Sequence, residues 1–486
     1  MQNTQTVEIL KKLDKNEIKR FGDFLKSPFF NSSGILIKVY DLVKKEYPAF
    51  TGNSLEPELM FKKLYPSENY KYTRIKNLNA EFGNLLRKFL GQIEIENSEL
   101  EYETFIASSL AKRNLYHVSN KVINKKFEQY RGKIFWGENY FQEIYNMHSL
   151  YVQNLDAGSQ HSTKEYFSIH EKMQELIIVF FFRELFVLLN TQSAQKILFS
   201  AYDGINNLKE LVNMIGTEKL FTFLKNAKNP YADYLKVHYL MLHYTENNIT
   251  IDEYFDLKKE LYKIIFDVMR SEALSFIVRL IQIILLNLVP LDRKFHREIF
   301  ELSKLFCELK IFPNKKVASL AAGTFRDMYG PAVILMELDW AENFAKEYSR
   351  YLSEDIRENE LNLCMGNISF KRKNYELSLE YFNKVKMFDI IEKISIRFYY
   401  MMNYIELKAF ENALSSLQTI RQFYSDRKDI PEIFAVLIPD ALKYFGEIIK
   451  CEQEGIKLEP QIYDEAKDGR RYYHVKYVLD KMEKLV

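Results

Sequence analysis

Residues that interrupt helices are scarce in this chain. It has 16 glycines and 11 prolines in 486 residues, and so few breakers leave room for long runs of helix. Cysteine is scarcer still. Cys307, Cys364 and Cys451 lie far apart, no CxxC pair occurs, and an odd number cannot all pair. That pattern excludes a disulfide-stapled scaffold and fits reduced thiols packed as small apolar side chains. Excess charge of either sign is also lacking. The formal net charge is +2, so any attraction to nucleic acid or to an anionic surface has to come from a local patch.

The first residues, MQNTQTVEILKKLDKNEIKRF, hold no apolar stretch of signal-peptide length. The most apolar run, Leu176–Phe182, is followed at once by Arg183 and Glu184. Each ionised group at a bilayer centre costs about 2.5–3.5 kcal/mol, so this run reads as a buried helix. Leu280–Leu291 reads the same way, interrupted by Gln282, Asn287 and Pro290. The expectation is a cytoplasmic chain without membrane contact.

Catalytic signatures are missing. There is no GxxxxGK[ST], GxGxxG after a strand, GxSxG or HExxH. His238 and His243 are the closest histidine pair, but five residues apart they do not share a helix face as zinc ligands at i,i+3 or i,i+4 would. Neither a metal, a cofactor nor an enzymatic activity is expected.

What is present is helical periodicity. Asp14 with Glu17 forms a capping-box start, and Ile18, Phe21, Phe24 and Leu25 follow on one face. Asn31 or Ser32 is placed to cap the next helix. Pro57–Leu64 and Lys71–Leu90 follow, the latter with Ile75, Leu78, Phe82, Leu85, Leu86 and Phe89 on one stripe and Gly91 as its stop. Residues 1–92 therefore read as a four-helix N-terminal domain. Turns are expected near Lys112–Asn114, Gly132, Asp156–Thr163, Asn190–Ser193, Thr217, Asn229–Pro230, Asn247–Thr250, Pro290 and Pro313. GQIEIE, Gly91–Glu96, is the one brief alternating stretch.

The clearest organisation lies in residues 359–426. Apolar residues at Leu363, Phe370, Leu377, Leu379 and Phe382 flank the polar turn Lys373–Asn374. The pattern then recurs. Phe410 stands 35 residues after Tyr375, Ala413 35 after Ser378, and Leu417 35 after Phe382. A small residue recurs because two backbones approach closely there. MGNISFKRKNYELSLEYFNKV resembles the tetratricopeptide repeat, with Gly366, Phe370, Tyr375, Ser378, Phe382 and Val385 at signature positions. Tyr404, Phe410, Ala413, Leu417 and Ile420 fit a second unit, in which Met401 replaces the usual glycine. Leu338 and Ala341 fit a weaker unit upstream.

That resemblance implies an all-α fold, a right-handed α-solenoid of antiparallel helix pairs with an N-terminal helical cap. The expected organisation is 1–92 as the cap, 93–330 as divergent helical repeats, and 331–486 as the repeats with C-terminal capping helices. It also implies a scaffold that binds a peptide or partner helix in a groove lined by the first helix of each pair. Carried over by position, the groove residues are Leu363, Asn367, Phe370 and Lys371, then Phe398, Met402, Ile405 and Glu406. A carboxylate-clamping groove would need a lysine where Leu363 stands and an asparagine where Tyr399 stands. The expected ligand is therefore apolar or amphipathic.

Two basic stretches bear on nucleic acid. Lys62–Leu90 holds seven cations against two acids. A short helix, a turn and a longer basic helix could form a helix-turn-helix there, and LYPSE followed by LLRKFL faintly resembles the N-terminal DNA-binding domain of bacterial activators that carry tetratricopeptide repeats behind it, a domain that normally includes a β wing, for which only GQIEIE is available here. On that alternative, Arg74, Lys76, Arg87 and Lys88 would meet phosphates. The bland reading is an amphipathic end cap with a solvated basic face. In the second stretch, RRYYHVKY at Arg470–Tyr477, the neighbouring acids Asp464, Glu465, Asp468 and Asp480 cancel most of the field. Oligomeric state and partner identity have no sequence signature.

Overall fold

Asp14 caps its helix as the spacing to Glu17 requires. The Asp14 carboxylate accepts from the Glu17 amide at 2.8 Å, and the Glu17 carboxylate accepts from the Asp14 amide at 2.9 Å. Two amides that the first helical turn leaves unpaired are thereby satisfied. Thr250 opens the helix Ile251–Ile264 with the same reciprocal box to Glu253. The computed structural model describes residues 4–130, 139–158, 163–198, 207–290, 292–311, 320–386, 390–427, 429–430, 435–468 and 472–486. Over these the protein is all-α, 80% helical, with 24 α-helices packing in adjacent pairs and no strand.

In chain order the helices are α1 Gln5–Lys12, α2 Lys15–Lys26, α3 Gly34–Lys45, α4 Pro57–Leu64, α5 Tyr72–Asn97, α6 Glu99–Ala111, α7 Tyr116–Tyr130 and α8 Tyr140–Gly158. Then come α9 Thr163–Leu198, α10 Asn207–Ile215, α11 Thr217–Asn226, α12 Ala232–Glu246, α13 Ile251–Ile264, α14 Arg270–Ile283, α15 His296–Glu308 and α16 Ala322–Ile334. The last are α17 Leu338–Tyr348, α18 Glu354–Lys371, α19 Tyr375–Asn383, α20 Ile390–Glu406, α21 Phe410–Ser425, α22 Ile438–Glu454, α23 Pro460–Lys467 and α24 Val475–Met482. The described residues fall into two packed units, one within 1–131 and 143–170, the other within 132–142 and 171–486.

Local signals were overridden at several points. Gly91 does not stop α5, which runs on to Asn97, so GQIEIE is helical. Ile93 is buried there, and Glu96 meets Arg20 at 2.5 Å. These contacts offset the ~1 kcal/mol a mid-helix glycine costs. Neither Asn31 nor Ser32 caps α3. Ser33 takes that place, and the Asn31 carbonyl oxygen accepts from the Ser33 amide at 2.8 Å in a side-chain turn. α1 is an additional helix, so five helices, not four, form the core around Phe21, Phe82 and Phe89. α9 runs unbroken through Asn190–Ser193; Asn190 and Ser193 are buried, and Ser193 donates to Glu246 at 2.7 Å. The turns at Lys112–Asn114, Asn229–Pro230 and Asn247–Thr250 form as expected, and Gly216 with φ 76 breaks the chain just before Thr217. Helix α14 widens into a π-helical turn over Ile284–Leu288, just ahead of Pro290. Gly132 and Pro313 lie outside the described residues, as does part of Asp156–Thr163; Asp156–Gly158 is still helix α8.

One hairpin geometry recurs. Lys373, Lys408 and Met336 adopt left-handed backbone with φ of 64, 59 and 65°. After each, an amide reaches back to a carbonyl at the helix end. Asn374 donates to Ser369 O at 2.9 Å, Ala409 to Tyr404 O at 2.8 Å, and Glu337 to Ala332 O at 2.9 Å. This left-handed cap satisfies carbonyls that the helix end leaves open. Five residues past each left-handed residue stands a fully buried small side chain: Ser378, Ala413 and Ala341. The pairs α18–α19, α20–α21 and α16–α17 are therefore one motif in three copies. The other packed unit holds the same motif in α6–α7. Asn114 has φ 61°, Leu115 donates to Leu110 O at 3.1 Å, and Ser119 is the buried small residue.

Candidate binding surface

The small residues set how closely paired helices approach. The Ser378 hydroxyl donates to Gly366 O at 3.0 Å, and a Cβ added at Gly366 would stand 2.8 Å from the buried Phe382 ring. Such contact is available only to a residue without a side chain. The repeat resemblance assigns eight positions of α18 and α20 to a groove, and two of them, Leu363 and Phe370, pack on Phe382 and Tyr375 of the paired helix α19.

The structure brings those eight positions onto two neighbouring helices and covers most of them. Leu363 is buried in a small cluster with Phe382, Val385 and Ile396. Phe370, Phe398, Met402 and Ile405 are buried in one core with α22 and the C-terminal segment. Asn367 is half-buried and faces Tyr329, with its side-chain oxygen left without a partner. Lys371 and Glu406 are half-buried.

What covers this face is the chain itself. Tyr473 stacks on Phe398 with ring centroids 5.0 Å apart. His474 packs against Phe398 and Tyr399 at 5.7 and 5.1 Å. Tyr477 packs against Phe370 at 5.9 Å and stacks on Phe445 at 5.8 Å. Lys481 closes the row, 3.0 Å from Glu406 and 2.9 Å from Glu452. Tyr477 and Lys481 are four apart on one face of α24, and this face, with Tyr473 and His474 in the turn ahead of the helix, meets α18, α20 and α22. In the sequence, RRYYHVKY interleaves aromatics with cations in a way that could stack bases, with its field cancelled by the neighbouring acids. Its described aromatic residues are largely withdrawn from water instead.

The electrostatics of this seat are uneven. Burial pushes the Lys371 ammonium below its usual range, and nearby Lys476 adds to the shift while Asp480 opposes it. Burial together with Lys371 pushes the His474 imidazole down to about 3, so it is neutral near pH 7. Its Nε2 and the Tyr473 hydroxyl are buried without a hydrogen-bond partner. His474 also holds a left-handed φ of 57° at the start of α24.

The basic candidates on α5 are less available than their sequence suggests. Arg74 lies 2.5 Å from Glu68 and is stacked 3.8 Å from the centre of the Tyr65 ring. Arg87 bonds to Asn84. Lys76 and Lys88 are exposed. The stretch available for a β wing, Gly91–Glu96, is helix.

Two buried charge networks escaped the sequence reading. Glu272 accepts from Arg183 Nη2 at 2.7 Å and from the Tyr234 hydroxyl at 2.9 Å, and His238 Nε2 stands 2.8 Å from the same carboxylate. Burial alone would raise the Glu272 carboxyl, but His238 and Arg183 outweigh it and hold it at about 2. Burial lowers the His238 imidazole below its usual value, and the Glu272 carboxylate opposes that shift. In the second network Arg326 forks onto Glu360 at 3.0 and 3.1 Å and reaches Glu392 at 2.6 Å. Both carboxylates are buried. Each network ties helices distant in sequence and leaves no room for a substrate between its members; these are ion clusters of a packed interior. Arg183 and Glu184 are the residues that interrupt the apolar run of α9. That spacing marks a charged buried helix without naming Glu272 as the partner.

Fold and surface together define a helical repeat-like protein built of adjacent helix pairs, in which α24 and the residues just before it cover an aromatic face of α18 and α20. The chain matches no known family profile, curated protein or solved structure at a significant level.

Proposed function

We propose that this chain is a non-enzymatic scaffold of the tetratricopeptide-like kind, a right-handed solenoid that binds a partner helix or apolar peptide on the inner face of α18 and α20. One observation carries the reading: Phe370, Phe398 and Glu406, placed by the repeat pattern at ligand-contacting positions, hold a helix there already, namely α24. A face that seats one helix through two aromatic contacts and an ion pair has the chemistry to seat another. The two ion clusters fasten helices that are distant in sequence, as a rigid scaffold requires.

The test uses the full-length chain carrying a photo-crosslinking residue at Asn367, on the inner face, or at Glu376, on the second helix of the same pair. Irradiation in the native cell is expected to trap a defined protein from Asn367 and not from Glu376. Equal trapping from both positions, or none from Asn367, removes the scaffold reading.

A further inference from the structure

We propose that the corner where α4 meets α5 binds single-stranded nucleic acid, with Tyr70 and Tyr72 as platforms for unstacked bases and Lys62, Lys63, Lys71 and Lys76 on the phosphates. This surface lies in the other packed unit and does not depend on the face of α18 and α20. The rings in and just before α24 are largely withdrawn from water, and those at this corner are not.

The corner is held from beneath. Tyr70 stands edge-on to Phe61 with ring centroids 5.5 Å apart, and Phe61 is buried in the core of the five helices. Residues 65–71 are thereby fastened to the last turn of α4, which carries Lys62 and Lys63. Arg74 stacks 3.8 Å from the centre of the Tyr65 ring and meets Glu68 at 2.5 Å, so the start of α5 is tied to the same turn. A surface fixed in this way loses little freedom when a ligand arrives.

What faces outward is aromatic and positive. Tyr70 is 41% exposed and Tyr72 60%. The four lysines are exposed, and none of them makes an ion pair among the described residues. Glu68, the only acid in residues 62–76, is engaged by Arg74. Glu58, in the first turn of α4, is the other acid facing Tyr70, and its single charge leaves the corner positive. A ring left in water forgoes the free energy that burial brings, and stacking on a base recovers it. Every base has a π-face and every nucleotide a phosphate, so the match is to the strand and not to its sequence. A duplex offers the same phosphates but keeps its bases stacked on one another, so the rings select single strands.

The test is fluorescence anisotropy of labelled oligo(dT), oligo(rU) and a duplex, each about a dozen nucleotides long, titrated with the full-length chain. At least one single strand is expected to bind more tightly than the duplex, and the tighter of the two tells DNA from RNA. Four phosphate contacts give a slope of about −3 for log affinity against log salt, so affinity should fall roughly 50-fold between about 50 and 200 mM salt. Lys62→Gln/Lys71→Gln should roughly halve that slope. Tyr72→Ala should weaken binding about five- to a hundredfold with the slope unchanged, and Tyr72→Phe, which keeps the ring, should bind as the wild type does. Lys15→Gln/Lys19→Gln is the control. These exposed lysines are on α2, which meets the far end of α5 through Arg20 and Glu96, and their loss should hardly change binding. All the altered side chains are exposed, and variants are compared at unchanged helicity. The proposal is overturned if neither single strand binds at low salt, if the duplex binds as tightly, if Tyr72→Ala binds like the wild type or Tyr72→Phe loses as much as Tyr72→Ala, or if the α2 pair costs as much as Lys62→Gln/Lys71→Gln.

Discussion

Ser378 donates its hydroxyl to the Gly366 carbonyl across 3.0 Å, and Asn403 of the next pair donates to Ser378 at 3.1 Å. The relay joins two helices of one pair and then the pair to its neighbour. It recurs in the other packed unit, where Ser119 donates to Ala107 O at 2.9 Å and Asn154 donates to Ser119 at 2.8 Å. Twelve residues separate donor and acceptor in both cases.

The crossing leaves no space for a methyl group. Gly366→Ala is expected to destabilise the chain by about 1–3 kcal/mol, the usual cost of overpacking a filled interior. The midpoint of chemical denaturation should fall, and it should fall less for Gly323→Ala, where an added Cβ meets nothing within 4 Å.

Glu272→Gln is expected to cost about 3 kcal/mol, because buried Arg183 keeps only the partly exposed Glu184 as a charged partner. The acid dependence follows from the same group. Its carboxyl ionises at about 2 when folded and near 4.5 when unfolded. Its contribution of about 3 kcal/mol is therefore full above the unfolded value and is lost as pH falls toward 2. His238 acts on a higher window. Its folded value lies below the usual 6.5, so the unfolded chain takes the proton first and stability declines as pH falls below that value. Denaturation midpoints from pH 7 to pH 3 should fall in the wild type, with a shallower slope below pH 5 in Glu272→Gln.

Arg326→Ala is expected to destabilise the chain through its effect on Glu360 and Glu392, by about 3 kcal/mol or more. Arg326→Lys should recover only part, since one ammonium cannot fork onto Glu360 and reach Glu392 with the same planar geometry. Thermal melts of the two variants compare the outcomes directly.

Gly91→Ala should raise stability by about 0.5–1 kcal/mol, since the site is mid-helix and an added Cβ meets nothing. A loss of stability there would mean that α5 ends where its sequence suggests.

How much of this was written in the sequence depends on range. The Gly366, Ser378 and Ala413 spacing was legible because a close crossing admits only small residues and so repeats as a pattern. The α6–α7 pair carries the same crossing at Ala107 and Ser119, yet no apolar signature around it repeats at a fixed period. Its membership shows only in the backbone and its hydrogen bonds. Gly91 and Asn190–Ser193 read as stops because local propensity is worth about 1 kcal/mol, and buried contacts from distant helices outweigh that. The eight candidate groove positions follow from register alone. That α24 lies over them does not, because a segment some 70 residues further on leaves no mark on the local pattern of α20.

The most direct measurement is hydrogen exchange of the amides in 475–482 in the wild type and in a Tyr477→Ala/Lys481→Glu variant, which removes the contacts of this helix with Phe370, Glu406 and Glu452. The account predicts that exchange in this helix speeds up in the variant while the amides of α16 and α17 stay as protected as before. Unchanged exchange in 475–482 would contradict a helix held on α18 and α20 by these contacts.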